Sequence, residues 1–287
     1  MLQPRQHFVR SLSPHGFHRL AYREWGHPAS ARTVVCVHGL TRNGRDFDAL
    51  AAALSDRFRI LCPDMPGRGD SEWLRDPNDY AFPTYLTALT ALLAHADVER
   101  VAWVGTSMGG LLGMILAAQP ATPIERLVVN DIGPTIEPAA LLRIAGYVGL
   151  DPVFESFPSL EAHVREVSAP FGKLTDAQWA DLASSTARQT QDGKWRLKYD
   201  PGIAVPFRAA AAPSGDLWPV WDAIRCPTLL LRGAESDLLS EQTASAMRTR
   251  GPKPRCVEFA GVGHAPMLLV PEQIGPVTTF LDGARPR

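Results

Sequence analysis

Two hydrophobic patterns alternate along the chain. Short runs rich in Val, Ile and Leu predict strands, and longer stretches with apolar residues every three or four positions predict helices. Residues 8–11 and 18–25, parted by Pro14 and Gly16, read as an antiparallel hairpin. Residues 33–38, Thr-Val-Val-Cys-Val-His, make the continuous apolar run expected of a strand buried on both faces. A helix over 46–54 follows, then a strand over 58–62 stopped by Pro63. Residues 83–96 place Leu86, Leu89, Leu92 and Leu93 on one helical face. A third central strand is expected at 100–104, a helix at 108–119 ended by Pro120, and a fourth strand at 126–130.

After Pro134 the β-branched runs cease. Residues 135–222 carry helical periodicity, with helices expected at 139–150, 160–167 and 176–190 and Thr175 as N-cap of the last. Alternation then resumes with a strand at 226–231, a helix at 242–248, a strand at 255–259 and a final helix at 272–281. Such an order predicts an α/β protein with a mostly parallel central sheet flanked by helices. The expected organisation is a core of residues 1–134 and 223–287 with an inserted α-helical cap at 135–222.

Charge removes some classes of function. Lys and Arg number 29 against 30 Asp and Glu, a net charge of −1, and no basic patch marks a nucleic-acid binder. The longest apolar run, near 109–118, falls short of the ~20 residues that span a bilayer. Met1 to His7 shows no apolar stretch behind its charge, which argues against a secretory signal and for a cytoplasmic location. Cys36, Cys62, Cys226 and Cys256 form no Cys-x-x-Cys pair and read as buried thiols in or beside strands. No metal or cofactor is expected. The expected partners are a small molecule and water, without nucleic acid or membrane.

The strongest chemical signal is Gly105-Thr106-Ser107-Met108-Gly109, lying between a predicted strand and a predicted helix. A serine on such a strand-to-helix turn projects its hydroxyl above the sheet edge, and the small flanking residues admit neighbouring backbone. A serine hydroxyl attacks well only when a base takes its proton. Of eight histidines, His264 stands out because Gly261 and Gly263 flank it in a loop just after a strand. An acid should orient that imidazole. Three carboxylates compete: Asp237 and Glu235 after the strand at 226–231, and Asp131 after the strand at 126–130. Asp131 also reads as a turn residue ahead of Ile132-Gly133-Pro134.

In five places, taken in order, the sequence resembles the α/β-hydrolase superfamily. These are His38-Gly39, Asp64-Met-Pro-Gly-Arg-Gly-Asp-Ser71, the Ser107 turn, Arg232-Gly-Ala-Glu-Ser-Asp237 and Gly261-Val-Gly-His-Ala-Pro266. The resemblance implies that fold, a triad in chain order Ser107, Asp237, His264, and an oxyanion hole made by the backbone N–H groups of Leu40 and Met108. His38 would then shape the oxyanion loop, and Asp64, Arg68 and Asp70 would form a self-bonded turn.

Ten of the 23 aromatic residues fall in 135–222. Tyr147, Phe154, Phe157, Trp179, Trp195 and Trp218 are candidates to line an apolar pocket above Ser107, with Thr41 and Leu238 from the core. The expected reaction is hydrolysis of carboxylic esters with small to medium hydrophobic acyl or aryl groups through an acyl-enzyme. Hydrolysis of carbon–carbon bonds, lactones or thioesters, and a weakly catalytic receptor, are the alternatives.

Overall fold

The computed structural model describes residues 3–210 and 216–283. Met1 and Leu2 of the N-terminal stretch read above lie outside the described residues. In chain order, β1 (Arg5–Ser13) and β2 (Gly16–Trp25) precede β3 (Thr33–Val37), α1 (Asp48–Leu54), β4 (Arg59–Pro63) and α2 (Phe82–His95). Next come β5 (Val101–Thr106), α3 (Met108–Ala117) and β6 (Ile124–Asn130). An insertion follows with α4 (Pro138–Tyr147), α5 (Phe157–Val167), α6 (Asp176–Thr186), β7 (Ala187–Gln189), β8 (Trp195–Leu197), α7 (Ala204–Ala210) and α8 (Trp218–Ala223). The chain closes with β9 (Thr228–Gly233), α9 (Glu241–Thr249), β10 (Arg255–Phe259) and α10 (Pro271–Asp282).

Eight strands form one sheet in the order β1-β2-β4-β3-β5-β6-β9-β10, and only β2 runs against its neighbours. Every residue of β3 is buried, because helices cover both faces. Strand alternation distributes the apolar side chains between two cores. Val35, Val37 and Trp103 face the layer that holds Leu89, Leu92 and Leu112. Val34, Cys36 and Val104 face the other, with Leu50, Leu54 and Val277. A leucine buried this completely stabilises the fold by about 1.5–3 kcal/mol. Among the described residues no helix is long and apolar enough to cross a membrane.

The insertion departs from its all-helical expectation. α6 stops at Thr186 instead of 190, and β7 and β8 form a small antiparallel hairpin. Its turn is built on Asp192-Gly193: Gly193 has φ 79°, and the Thr190 N–H donates to Lys194 O at 2.8 Å. An Asp-Gly turn of this kind overrode the weak helical period. At the other end α6 begins as expected. Thr175 caps it, with its hydroxyl accepting from Gln178 N at 3.3 Å and Gln178 Oε1 accepting from Thr175 N at 2.8 Å.

The insertion also has two packing partners. Leu160, Val164, Trp179, Leu182 and Ala183 form its own apolar cluster, joined by Met267 from the loop that carries His264. α8 instead belongs to the sheet layer: Trp221 is fully buried there and donates its indole N–H to Arg250 O at 3.2 Å.

Candidate active site

β5 delivers Ser107 to the C-terminal edge of the sheet. The serine sits at φ 55°, ψ −118°, a strained conformation for a residue with a side chain, at the start of α3. Two glycines make this turn possible. A Cβ at Gly105 would lie 2.2 Å from Gly109 O, and one at Gly109 would lie 2.0 Å from Val37 O. The Ser107 N–H donates to Asn130 O at 3.0 Å, so the end of β6 anchors the turn.

His264 reaches the serine from the loop after β10. Its Nε2 is 2.9 Å from Ser107 Oγ, and its Nδ1 is 2.9 Å from Asp131 Oδ2. An ionised carboxylate has no proton to give, so Nδ1 carries the proton and Nε2 keeps a lone pair for the serine hydroxyl. The loop is held close by backbone: Glu235 N donates to Val262 O at 2.9 Å, and Gly263 N to Pro170 O at 2.7 Å. Gly233 admits it, since a Cβ there would lie 2.3 Å from Gly263 O. Asn130 ties the elements together by donating to Thr106 Oγ1 at 3.0 Å and Pro266 O at 2.8 Å.

The acid beside the histidine is therefore Asp131, and the expectation of Asp237 is corrected. Asp131 is fully buried at φ 56°, a turn geometry that aims its carboxylate across the ends of β6 and β9. It accepts from Gly233 N at 2.9 Å and Ser236 Oγ at 2.7 Å as well as from His264. Asp237 lies one residue past that serine, on the outer side of the loop, with its side chain 46% exposed. There it takes a bidentate pair from Arg143 of α4, at 2.6 and 2.9 Å. Glu235 makes no hydrogen bond to His264 among the described residues.

His38 and Arg68 underlie the loop after β3. His38 is fully buried, and its Nδ1 donates to Gly39 O at 2.7 Å while Nε2 accepts from Met65 N at 2.9 Å. Burial pushes its pKa down to about 3, so the ring is neutral and serves as a structural strut. Asp64 accepts from Gly44 N at 2.7 Å and Asp70 N at 2.8 Å, as a turn residue should, and burial lifts its pKa to about 6.

Arg68 does something else. Fully buried, with no carboxylate in ion-pair range among the described residues, it donates to Leu40 O at 2.8 Å, Pro66 O at 2.6 Å and Tyr85 Oη at 2.8 Å. Its Nη2 lies 4.0 Å from Met108 Sδ. The guanidinium thus touches both residues expected to supply oxyanion donors. Neither the Leu40 nor the Met108 N–H has an acceptor among the described residues, and Met108 opens α3, where helix N–H groups favour negative charge.

A cavity of about 130 Å³ opens above Ser107, walled by the loop after β3, by the His264 loop and by α4, α5 and β8 of the insertion. Of the pocket residues expected from the sequence, Thr41 and Tyr147 line it. Trp179, Trp218 and Leu238 do not. Trp179 fills the core of the insertion, where helical periodicity needs an apolar anchor. Trp218 lies on α8 under the Arg250 guanidinium, 4.2 Å from its ring centroid. Leu238 is buried in the sheet core. Phe154, Phe157 and Trp195 likewise pack on the insertion's own cluster. Arg143, His163 and Phe171 line the cavity without any motif having marked them.

A sheet in this order, with a serine on a tight turn after β5 and a histidine after the last strand, defines a hydrolase class. The family model for the alpha/beta hydrolase family matches residues 34–274, and the chain belongs to that family. It is 47% identical to the 3-hydroxybutyrate-oligomer hydrolase of Cupriavidus necator, over 98% of this chain and 99% of that protein. Among solved structures it is similar to an alpha/beta hydrolase from Novosphingobium aromaticivorans, with a TM-score of 0.89 and 40% identity over 98% of this chain and 99% of that one.

Proposed function

We propose that the protein is a serine ester hydrolase acting on short oligomers of 3-hydroxybutyrate or closely related hydroxyacyl esters, with Ser107, His264 and Asp131 as its triad. The observation that carries the reading is the hydrogen-bonded chain Ser107–His264–Asp131 at the floor of a covered cavity. The full-length likeness to an oligomer hydrolase supports the substrate class. In this reading residues 135–222 serve as the cap over the acyl site, apart from α8, which packs with the core.

The chemistry follows from the geometry. Ser107 Oγ attacks the ester carbonyl as His264 Nε2 takes its proton, and Asp131 stabilises the resulting imidazolium. The carbonyl oxygen becomes an oxyanion, received by the N–H groups of Leu40 and Met108, where a single donor is worth about 10²–10³ in turnover. Collapse breaks the bond to the leaving oxygen, which takes the proton back from Nε2 and departs as a hydroxy acid or alcohol. Water then gives its proton to His264, attacks the acyl carbon and releases the acid and free Ser107.

The test combines labelling and turnover. Intact mass after fluorophosphonate treatment should show one adduct on Ser107, and 3-hydroxybutyrate dimer and trimer should be hydrolysed to monomer. An adduct without turnover of those oligomers, but with turnover of simple p-nitrophenyl esters, would remove the substrate class and keep the esterase. Absence of an adduct would remove the nucleophile.

A further inference from the structure

The cavity wall is mostly apolar, yet two arginines line it: Arg42 from the loop after β3 and Arg143 from α4. Their ion pairs differ in kind. Arg42 holds Asp46 through three hydrogen bonds of 2.6–3.2 Å, and the two side chains are only 13% and 10% exposed. That pair is closed. Arg143 holds Asp237 at 2.6 and 2.9 Å, but these side chains are 40% and 46% exposed, and the bond spans from the insertion to the β9 loop. An ion pair this open to water is weak and exchangeable. Tyr147 also lines the cavity, and its hydroxyl lies beside Arg143; burial pushes its pKa up and the charge of Arg143 opposes the shift.

We propose that Arg143 is the docking point for a carboxylate on the substrate and that Asp237 holds the same fork as an intramolecular competitor. The inference rests on the ester-hydrolase reading and deepens it. A guanidinium binds a planar carboxylate through two parallel N–H···O bonds, the geometry that Asp237 already displays. A cavity shared by Ser107 and Arg143 selects esters that carry a free acid close to the cleaved bond. For an oligomer of a hydroxy acid this means the linkage at the carboxyl end, cut with release of the terminal unit. Arg42 stays with Asp46 and lends only its field.

The test compares the 3-hydroxybutyrate dimer as free acid with its methyl ester, by initial rates. The wild type should favour the free acid. Arg143→Gln should lower kcat/KM for the free acid about tenfold more than for the methyl ester, mainly through KM, and Arg143→Lys should recover part of the loss. Asp237→Asn should lower KM for the free acid more than for the methyl ester, because the competitor is gone. Calorimetric binding of the free acid to Ser107→Ala, with and without Arg143→Gln, gives the same comparison without turnover. Equal losses on both substrates, or a raised KM for the free acid in Asp237→Asn, would overturn the docking role and leave the hydrolase standing. No turnover of either substrate by the wild type would overturn the docking role and the oligomer substrate class; the ester-hydrolase reading would fall with them only if p-nitrophenyl esters were left intact as well.

Discussion

Two neighbouring strands, β6 and β9, each end in an acidic loop, and the two loops have opposite fates. At the end of β6, Asp131 is buried and satisfied by Gly233 N, Ser236 Oγ and His264. At the end of β9, Asp237 faces water and an arginine of the insertion. Burial with full hydrogen bonding fixes a carboxylate in one orientation, as a histidine partner needs. Exposure leaves it free to exchange partners, which suits a group paired with a cavity-lining arginine. Ser236 links the two loops: its hydroxyl donates to Asp131, while the next residue, Asp237, is left exposed.

The sharpest way to break this comparison is to remove chemistry from the buried side. Ser107→Ala should lower kcat on a p-nitrophenyl ester by about 10³–10⁶ with folding unchanged by circular dichroism. Asp131→Asn should cost about 10²–10⁴ in kcat, because the imidazole loses the partner that fixes its tautomer. Asp237→Asn should cost less than about threefold on the same neutral ester, as expected when an exposed ion pair is lost. Equal losses in these last two would return the acid role to the β9 loop.

His38 tests the buried side through stability. Its pKa is depressed in the folded state to about 3, so the folded state binds fewer protons than the unfolded one below pH 6.5. The stability that the neutral ring contributes is therefore present above pH 6.5 and is lost as pH falls towards 3. Asp64, with its pKa raised to about 6, acts in the opposite direction over pH 4–6, and that contribution is common to wild type and variant. The stability gap between wild type and His38→Gln in urea should thus shrink by about 2 kcal/mol from pH 6.5 to pH 5. A constant gap would mean that His38 is charged or exposed.

Arg68→Gln should lower kcat about tenfold with a much smaller change in KM, since the guanidinium props the carbonyl of Leu40 below the proposed oxyanion site. A loss confined to KM would assign Arg68 to substrate binding. The smallest effect is expected in the insertion, where Thr175→Ala should cost about 1 kcal/mol through the lost cap of α6, read by thermal unfolding.

Much of this was legible in the chain itself. Strand–helix alternation, the all-apolar run of β3 and the glycines around Ser107 depend on local sequence and on burial that every residue of a segment shares. His264 was legible for the same reason: flanking glycines after a strand leave few uses for a lone histidine. The Thr175 cap and α2's apolar face are also short-range features, and both formed as the pattern dictated.

Other features depended on which distant residues meet. Which carboxylate meets His264 was decided by a turn geometry at Asp131 and by a hydroxyl 105 residues away, neither of which leaves a mark in composition or period. Trp179 and Trp218 carry the same aromatic signal as Tyr147, yet only Tyr147 faces the cavity, because an apolar residue in a helical insertion can serve its own core, the sheet layer or the site. Sequence alone determined the fold, the serine and the histidine, since these follow from local rules and chain order. Tertiary structure alone decided which carboxylate meets the histidine, which residues wall the cavity and which arginine pair is left open to water, since each is a choice among chemically equivalent residues that only packing can make.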